Sequence, residues 1–176
     1  VADASPVPVI LYQVPPRFSS VELVPGLVGE LARHPNVVGI KDSHGDLRTL
    51  GALVEACDGR AAVLVGSGAM LYGALEIGAV GGILGVSLIA PAECAALCRA
   101  FAEGRLGDAG RLQEHLSPLH RTIVAEMGVP GVKAALDELG LHGGAPRPPV
   151  KPLGEKDLLR VREALEAAGL GAAARA

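Results

Sequence analysis

Hydrophobic positions fall into two rhythms along this chain. In the first half, short and nearly continuous apolar runs of strand length occur at PVILY (8–12), VVGIK (37–41), AAVLV (61–65) and AVGGILG (79–85). Continuous rather than alternating runs predict parallel strands buried on both faces. Between them the spacing turns helical. Residues 22–34 place Leu23, Leu27 and Leu31 on one face beside Val24 and Val28. Asp46 is a good helix N-cap, and Leu47, Leu50, Leu53, Val54 and Cys57 follow. Residues 68–77 supply Met70, Leu71, Ala74 and Leu75. Strand–helix alternation at this spacing predicts βαβ units and a parallel sheet.

After Gly85 the strand pattern stops. A helix is expected from Pro91, with Cys94, Leu97, Cys98 and Phe101 on one face, ending at Gly104. A second is expected over 107–125, a third from Pro130 to Gly140, and a last over 155–168, with the proline-rich HGGAPRPPVKP (142–152) as an extended linker before it. The layout is four βα units over 1–104 and a helical subdomain over 105–176. A (β/α)₈ barrel takes ~250 residues and eight strands, so four units are half of one. A half barrel has open sheet edges and an uncovered interior. The first residue is not Met, and the reading expects an N-terminal half before Val1.

Composition narrows the function. Net charge is −3 without a basic stripe, and aromatic residues are 2% of the chain, which argues against nucleic-acid binding. No run is long and apolar enough for a membrane span, and residues 1–15 lack a signal-peptide pattern. Three cysteines, Cys57, Cys94 and Cys98, fit a reducing, cytoplasmic setting, with the last two read as buried apolar residues. No His/Cys/Asp cluster has metal-ligand spacing, and no cofactor is expected.

Candidate chemistry sits where strands end. In parallel α/β folds reactive groups gather at the carboxyl ends of strands. Lys41 closes one strand and Tyr12 the strand before it. A desolvated amine is neutral and attacks carbonyl carbon, and the Schiff base formed is an electron sink for making or breaking the adjacent carbon–carbon bond. A neighbouring phenol can move the protons this needs. The plain alternatives are a lysine reaching solvent or pairing with Asp42, and a tyrosine that only packs. Gly66-Ser67-Gly68, between strand and helix, either presents N–H groups to an anion or is simply a tight turn. His44, on the loop after Lys41, is expected to be exposed.

These motifs carry a resemblance. PVILYQVP, NVVGIKDSHGD, VLVGSG (63–68) and GVPGVKAALDELGL (128–141) resemble, in order and spacing, the dihydrodipicolinate synthase / N-acetylneuraminate lyase family of Schiff-base aldolases. The resemblance implies strands five to eight of a (β/α)₈ barrel plus the C-terminal helical subdomain. It implies Lys41 as the Schiff-base lysine and Tyr12 as the proton relay. Arg17 and Ser43 would contact the distal part of the substrate, with the Gly66–Ser67 turn and the Ile83–Leu84 backbone lining the pyruvate pocket. The substrates would be a 2-oxo acid, pyruvate, and an aldehyde.

Within the family, HPNVVGIKDS, GALEIGAVGGILG and LHGGAPRPP look most like 4-hydroxy-2-oxoglutarate aldolase, which yields pyruvate and glyoxylate. Arg17 instead matches the dihydrodipicolinate synthases, which condense pyruvate with aspartate semialdehyde, although Gln13 and Phe18-Ser19 depart from their pattern. The threonine loop that grips the pyruvate carboxylate, and a tyrosine lent by a neighbouring subunit, would lie upstream of Val1. The family also implies a full-length homo-oligomer, dimer or tetramer, with little activity expected of this chain alone. A reading of another class is a non-catalytic half barrel that acts as a pairing module.

Overall fold

The computed structural model describes residues 1–15 and 18–171. It comprises two compact units, Val1–Ile83 and Leu84–Ala176, where the sequence reading subdivides at 104.

The first unit alternates strand and helix: β1 (Val9–Gln13), α1 (Pro25–Leu31), β2 (Val37–Asp42), α2 (Leu47–Cys57), β3 (Ala62–Val65), α3 (Leu71–Glu76) and β4 (Gly81–Gly82). The four strands form one parallel sheet in the order β1-β2-β3-β4. Asp46 caps α2 as expected, its carboxylate accepting from the Arg48 and Thr49 N–H groups. Leu50, Leu53 and Cys57 are buried from that helix. Two expectations are corrected. α1 is shorter than the pattern predicted, and it buries Val28, with Ala32 buried at its C-cap and Leu27 exposed. Pro25 accounts for the later start, because a proline is tolerated in a first turn and restricts the residue before it. β4 is only two residues long rather than spanning 79–85, although the Val80 and Ile83 N–H groups still donate to the Val63 and Val65 carbonyls.

The sheet is not buried on both faces. Leu11, Gln13, Ile40, Asp42, Val63 and Val65 share one face by register and alternation, and all but the half-buried Leu11 are buried. Tyr12, Lys41 and Leu64 share the other, where Ile10 and Tyr12 are exposed and Lys41 is half-buried. The continuous apolar runs come from strands whose helices cover a single face here.

The second unit is helical: α4 (Pro91–Ala102), α5 (Leu106–Leu119), a π-helical stretch His120–Glu126, α6 (Gly128–Glu138) and α7 (Glu155–Ala167). Its buried residues include Leu97, Leu116, Leu119, Ile123, Val161 and Leu165. The expected helix over 107–125 changes winding at His120, just after Pro118, whose missing N–H disturbs the ladder. His120 is buried there, and desolvation pushes its pKa down. Burial pushes the Cys94 thiol up to about 11 and raises Cys57 and Cys98 as well. Among the described residues no helix is long and apolar enough to cross a membrane, and no group of acids, histidines and cysteines could hold a metal ion.

Candidate active site

The carboxyl ends of β1, β2 and β3 are held level by backbone hydrogen bonds that run past the strands. The Ser43 N–H donates to the Gln13 carbonyl (3.0 Å), and the Gly66 N–H donates to the Asp42 carbonyl (2.6 Å). The Ile83 N–H donates to the Val65 carbonyl (3.0 Å). Tyr12, Ser43, Gly66 and Ile83 therefore all belong to one rim, with Lys41 in it.

Tyr12 and Lys41 are register partners on adjacent strands. The Lys41 Nζ lies 4.4 Å from the centre of the Tyr12 ring, over its face. This contact orients the amine by the ring's quadrupole without neutralising it by a carboxylate. The neighbouring carboxylate, Asp42, is on the opposite, helix-covered face. The reading of Lys41 as an ion-pair partner of its sequence neighbour thus finds no support in the strand geometry.

Ser43 and Gly66 are in direct apposition. A side chain at Gly66 would overlap the Ser43 hydroxyl and stand 2.9 Å from the Asp42 carbonyl oxygen. This is the physical reason for glycine at the turn, and it sets Ser43 against the Gly66 backbone. Ser67 follows in the turn into α3, at the N-cap of a short 3₁₀ segment. Ile83 is exposed at the end of β4, whereas Leu84 is buried and opens the second unit. Arg17 lies outside the described residues.

Three residues matter more than their sequence signal. Gln13 is buried, and its amide bridges two points of the chain: Nε2 donates to the Val14 carbonyl (3.0 Å) and Oε1 accepts from the Leu23 N–H (2.7 Å). It braces the start and end of the segment that carries Arg17 in the sequence. Asp42 is 2% exposed, and burial raises its pKa above the ordinary carboxylate value. Its Oδ1 accepts from the His44 N–H (3.2 Å), which fixes the turn directly after Lys41 and Ser43. His44 itself is half-buried rather than exposed, and its Nδ1 is shielded and has no hydrogen-bond partner among the described residues. A polar residue at an odd offset from Lys41, and therefore on the opposite face of a continuous strand, was the available clue for Asp42. Nothing in the pattern signalled the roles of Gln13 or His44.

Chemically, the rim offers a primary amine beside a phenol, with a hydroxyl just past the end of the same strand and a glycine turn at the end of the next. That set can add to a carbonyl and move protons around the adduct.

The model of the dihydrodipicolinate synthetase family matches residues 1–168. A 4-hydroxy-tetrahydrodipicolinate synthase of Halorhodospira halophila is 35% identical over 170 residues, covering 97% of this chain and 56% of that protein. The enzyme of the same name from Gluconacetobacter diazotrophicus is 38% identical over 171 residues, covering 97% and 57%. Among solved structures, the chloride-inhibited dihydrodipicolinate synthase of Acinetobacter baumannii, complexed with pyruvate, superposes with a TM-score of 0.90 at 34% identity. That match covers 96% of this chain and 58% of the other. The chain thus spans little more than half the length of the relatives it matches.

Proposed function

Since this chain belongs to the dihydrodipicolinate synthetase family, we propose that it carries the Schiff-base half of a pyruvate-dependent carbon–carbon lyase. The observation that carries this reading is the Lys41 amine seated on the Tyr12 ring at paired strand ends. Lys41 Nζ adds to C2 of pyruvate, water leaves, and an imine forms. Loss of a C3 proton gives the enamine, whose C3 attacks an aldehyde carbon. The new C–C bond places electrons on the aldehyde oxygen, which takes up a proton. Tyr12 passes protons at the carbinolamine and at that oxygen.

Cleavage of 4-hydroxy-2-oxoglutarate stood first on sequence motifs alone. The relatives bearing the name 4-hydroxy-tetrahydrodipicolinate synthase support the other order, so condensation of pyruvate with aspartate semialdehyde is the preferred reaction. Arg17 and Ser43 then address the second substrate, and the Gly66–Ser67 turn and the Ile83–Leu84 backbone line the pyruvate site. The sheet corresponds, on this reading, to strands five to eight of a (β/α)₈ barrel within 1–104, with 105–176 as the helical subdomain. The parallel order β1-β2-β3-β4 and the exposed Ile10 and Tyr12 on one face support it. The working form is a cytoplasmic homo-oligomer, dimer or tetramer.

Borohydride reduction in the presence of pyruvate tests the reading, with intact mass and peptide mapping. It is applied to this chain and to any longer polypeptide that contains it. A reduced pyruvyl adduct on Lys41 is expected in the longer form. An adduct on another lysine, or none there, overturns the proposal.

A further inference from the structure

The second unit contains a cavity of about 650 Å³ between α6 and the segment that follows it. Its lining includes Lys133, His142 and Arg147 together with Val129, Pro146 and Val150. Its size falls within the roughly 300–1,000 Å³ of small-molecule pockets.

The wall of this cavity is fixed by the chain itself. The Lys133 Nζ donates to the Gly143 carbonyl (2.5 Å), and the Asp137 Oδ1 accepts from the Gly143 N–H (2.8 Å) and the Gly144 N–H (3.4 Å). α6 therefore grips the glycine pair from two successive turns. The fit is close: a side chain at Gly143 would overlap the Lys133 backbone. Gly144 has φ +70°, and a Cβ there would stand 3.2 Å from His142 Nε2, so the imidazole packs over this glycine. The Val150 N–H closes a turn on the Arg147 carbonyl (3.1 Å), which sets the opposite wall.

The charge is one-sided. Lys133 and Arg147 bring an amine and a guanidinium, His142 adds an imidazole, and no carboxylate is in the lining. The nearby acid, Asp137, has its Oδ1 engaged by the two glycine amides. Among the described residues Arg147 pairs with no carboxylate. A guanidinium left open in this way is a bidentate carboxylate receptor, and Lys133 keeps two N–H donors beyond its bond to Gly143. The valine and proline walls favour an apolar body between charged ends over a bare inorganic anion.

We propose that this cavity binds a small dicarboxylate with a short aliphatic body. The proposal is independent of the Schiff-base reading, because its residues lie in the second unit and Lys41 lies in the first.

The test is a titration of the 176-residue chain with succinate, inorganic phosphate and butyrate, followed by amide chemical shifts. Succinate is expected to move the Gly143, Gly144 and Val150 amides saturably, ahead of phosphate and butyrate. Arg147→Gln is expected to weaken succinate by about tenfold or more, as for loss of one charge-assisted hydrogen-bonded contact. Lys133 also anchors the loop, so Arg147→Gln carries the test. Arg60→Gln, in the first unit, should change nothing. No saturable shift at these amides overturns the proposal. So does phosphate binding as tightly as succinate, or succinate binding that ignores Arg147→Gln.

Discussion

Tyr12 and Lys41 face each other across adjacent parallel strands, with the Lys41 Nζ 4.4 Å from the centre of the phenol ring. On the proposed Schiff-base reading, one side chain therefore serves two separable purposes. Its ring positions the amine, and its hydroxyl is available for proton transfer.

Tyr12→Phe separates them. The ring and its contact with the Lys41 Nζ remain, so stability should change by no more than about 0.5 kcal/mol, as for a partly exposed site. Turnover in the full-length enzyme should fall by roughly 10²–10⁴, the usual contribution of a positioned acid–base group. Borohydride trapping at Lys41 should still occur, but more slowly. Urea unfolding and single-turnover trapping check both halves. An unchanged rate would show that Tyr12 only packs. Lys41→Arg should abolish the adduct entirely while leaving the unfolding midpoint close to that of the parent.

Gly66→Ala tests the seam between the strand ends. The added methyl meets the Ser43 hydroxyl and the Asp42 carbonyl oxygen, and the latter cannot rotate away. Overpacking of this kind costs about 1–3 kcal/mol. The denaturant midpoint should drop without a change in slope. Ser43→Ala should partly rescue the double variant, because it removes the flexible half of the clash. Additive losses in the double-mutant cycle would show that the two residues act independently.

Sequence pattern made the parallel α/β layout readable because each element carried an independent signal. Asp46 before a helical stripe announced α2, and the structure places its carboxylate on the Arg48 and Thr49 amides. Lys41 and Tyr12 were legible as strand-end residues because register in a parallel pair brings equivalent ends together. What failed to show has physical reasons. A continuous apolar run cannot reveal whether helices cover one sheet face or two, and the exposure of Ile10 and Tyr12 agrees with the half-barrel expectation of an uncovered interior rather than with strands buried on both faces. The two-residue length of β4 depends on tertiary pairing rather than propensity. The change of winding after Pro118 leaves the apolar stripe nearly intact, so periodicity passes over it. Gln13 read only as a departure from the dihydrodipicolinate synthase pattern, whereas its amide joins Val14 to Leu23.

Cys94 offers a probe of the second unit. Its thiol is buried and pushed up to about 11, chiefly by desolvation. At pH 8 roughly a thousandth of it is thiolate, and the thiolate is the reactive form. Iodoacetamide should label Cys94 slowly in the native chain and at the rate of an ordinary thiol in urea. Cys98, half-buried on the same helix, should react sooner. Rapid native labelling of Cys94 would mean that α4 opens readily.

The buried carboxyl group of Asp42 makes a prediction with a definite sign. Desolvation is the largest influence on it and raises its pKa above 3.8, while the His44 N–H and the imidazole of His44 oppose that and Asp46 adds to it. A carboxyl whose folded pKa is raised binds more protons folded than unfolded between the two values. Stability from this group is therefore fully present below the unfolded pKa, and it is lost as pH rises through the raised folded pKa. Asp42→Asn keeps an oxygen acceptor for the His44 N–H and removes the charge. Relative to the parent, the variant should gain stability progressively across that window and hold the gain at neutral pH. Urea unfolding at a series of pH values from below 3.8 upward measures the difference directly. A variant that loses stability as pH rises would show that the ionised Asp42 is held by favourable partners, and that the turn after Lys41 depends on its charge.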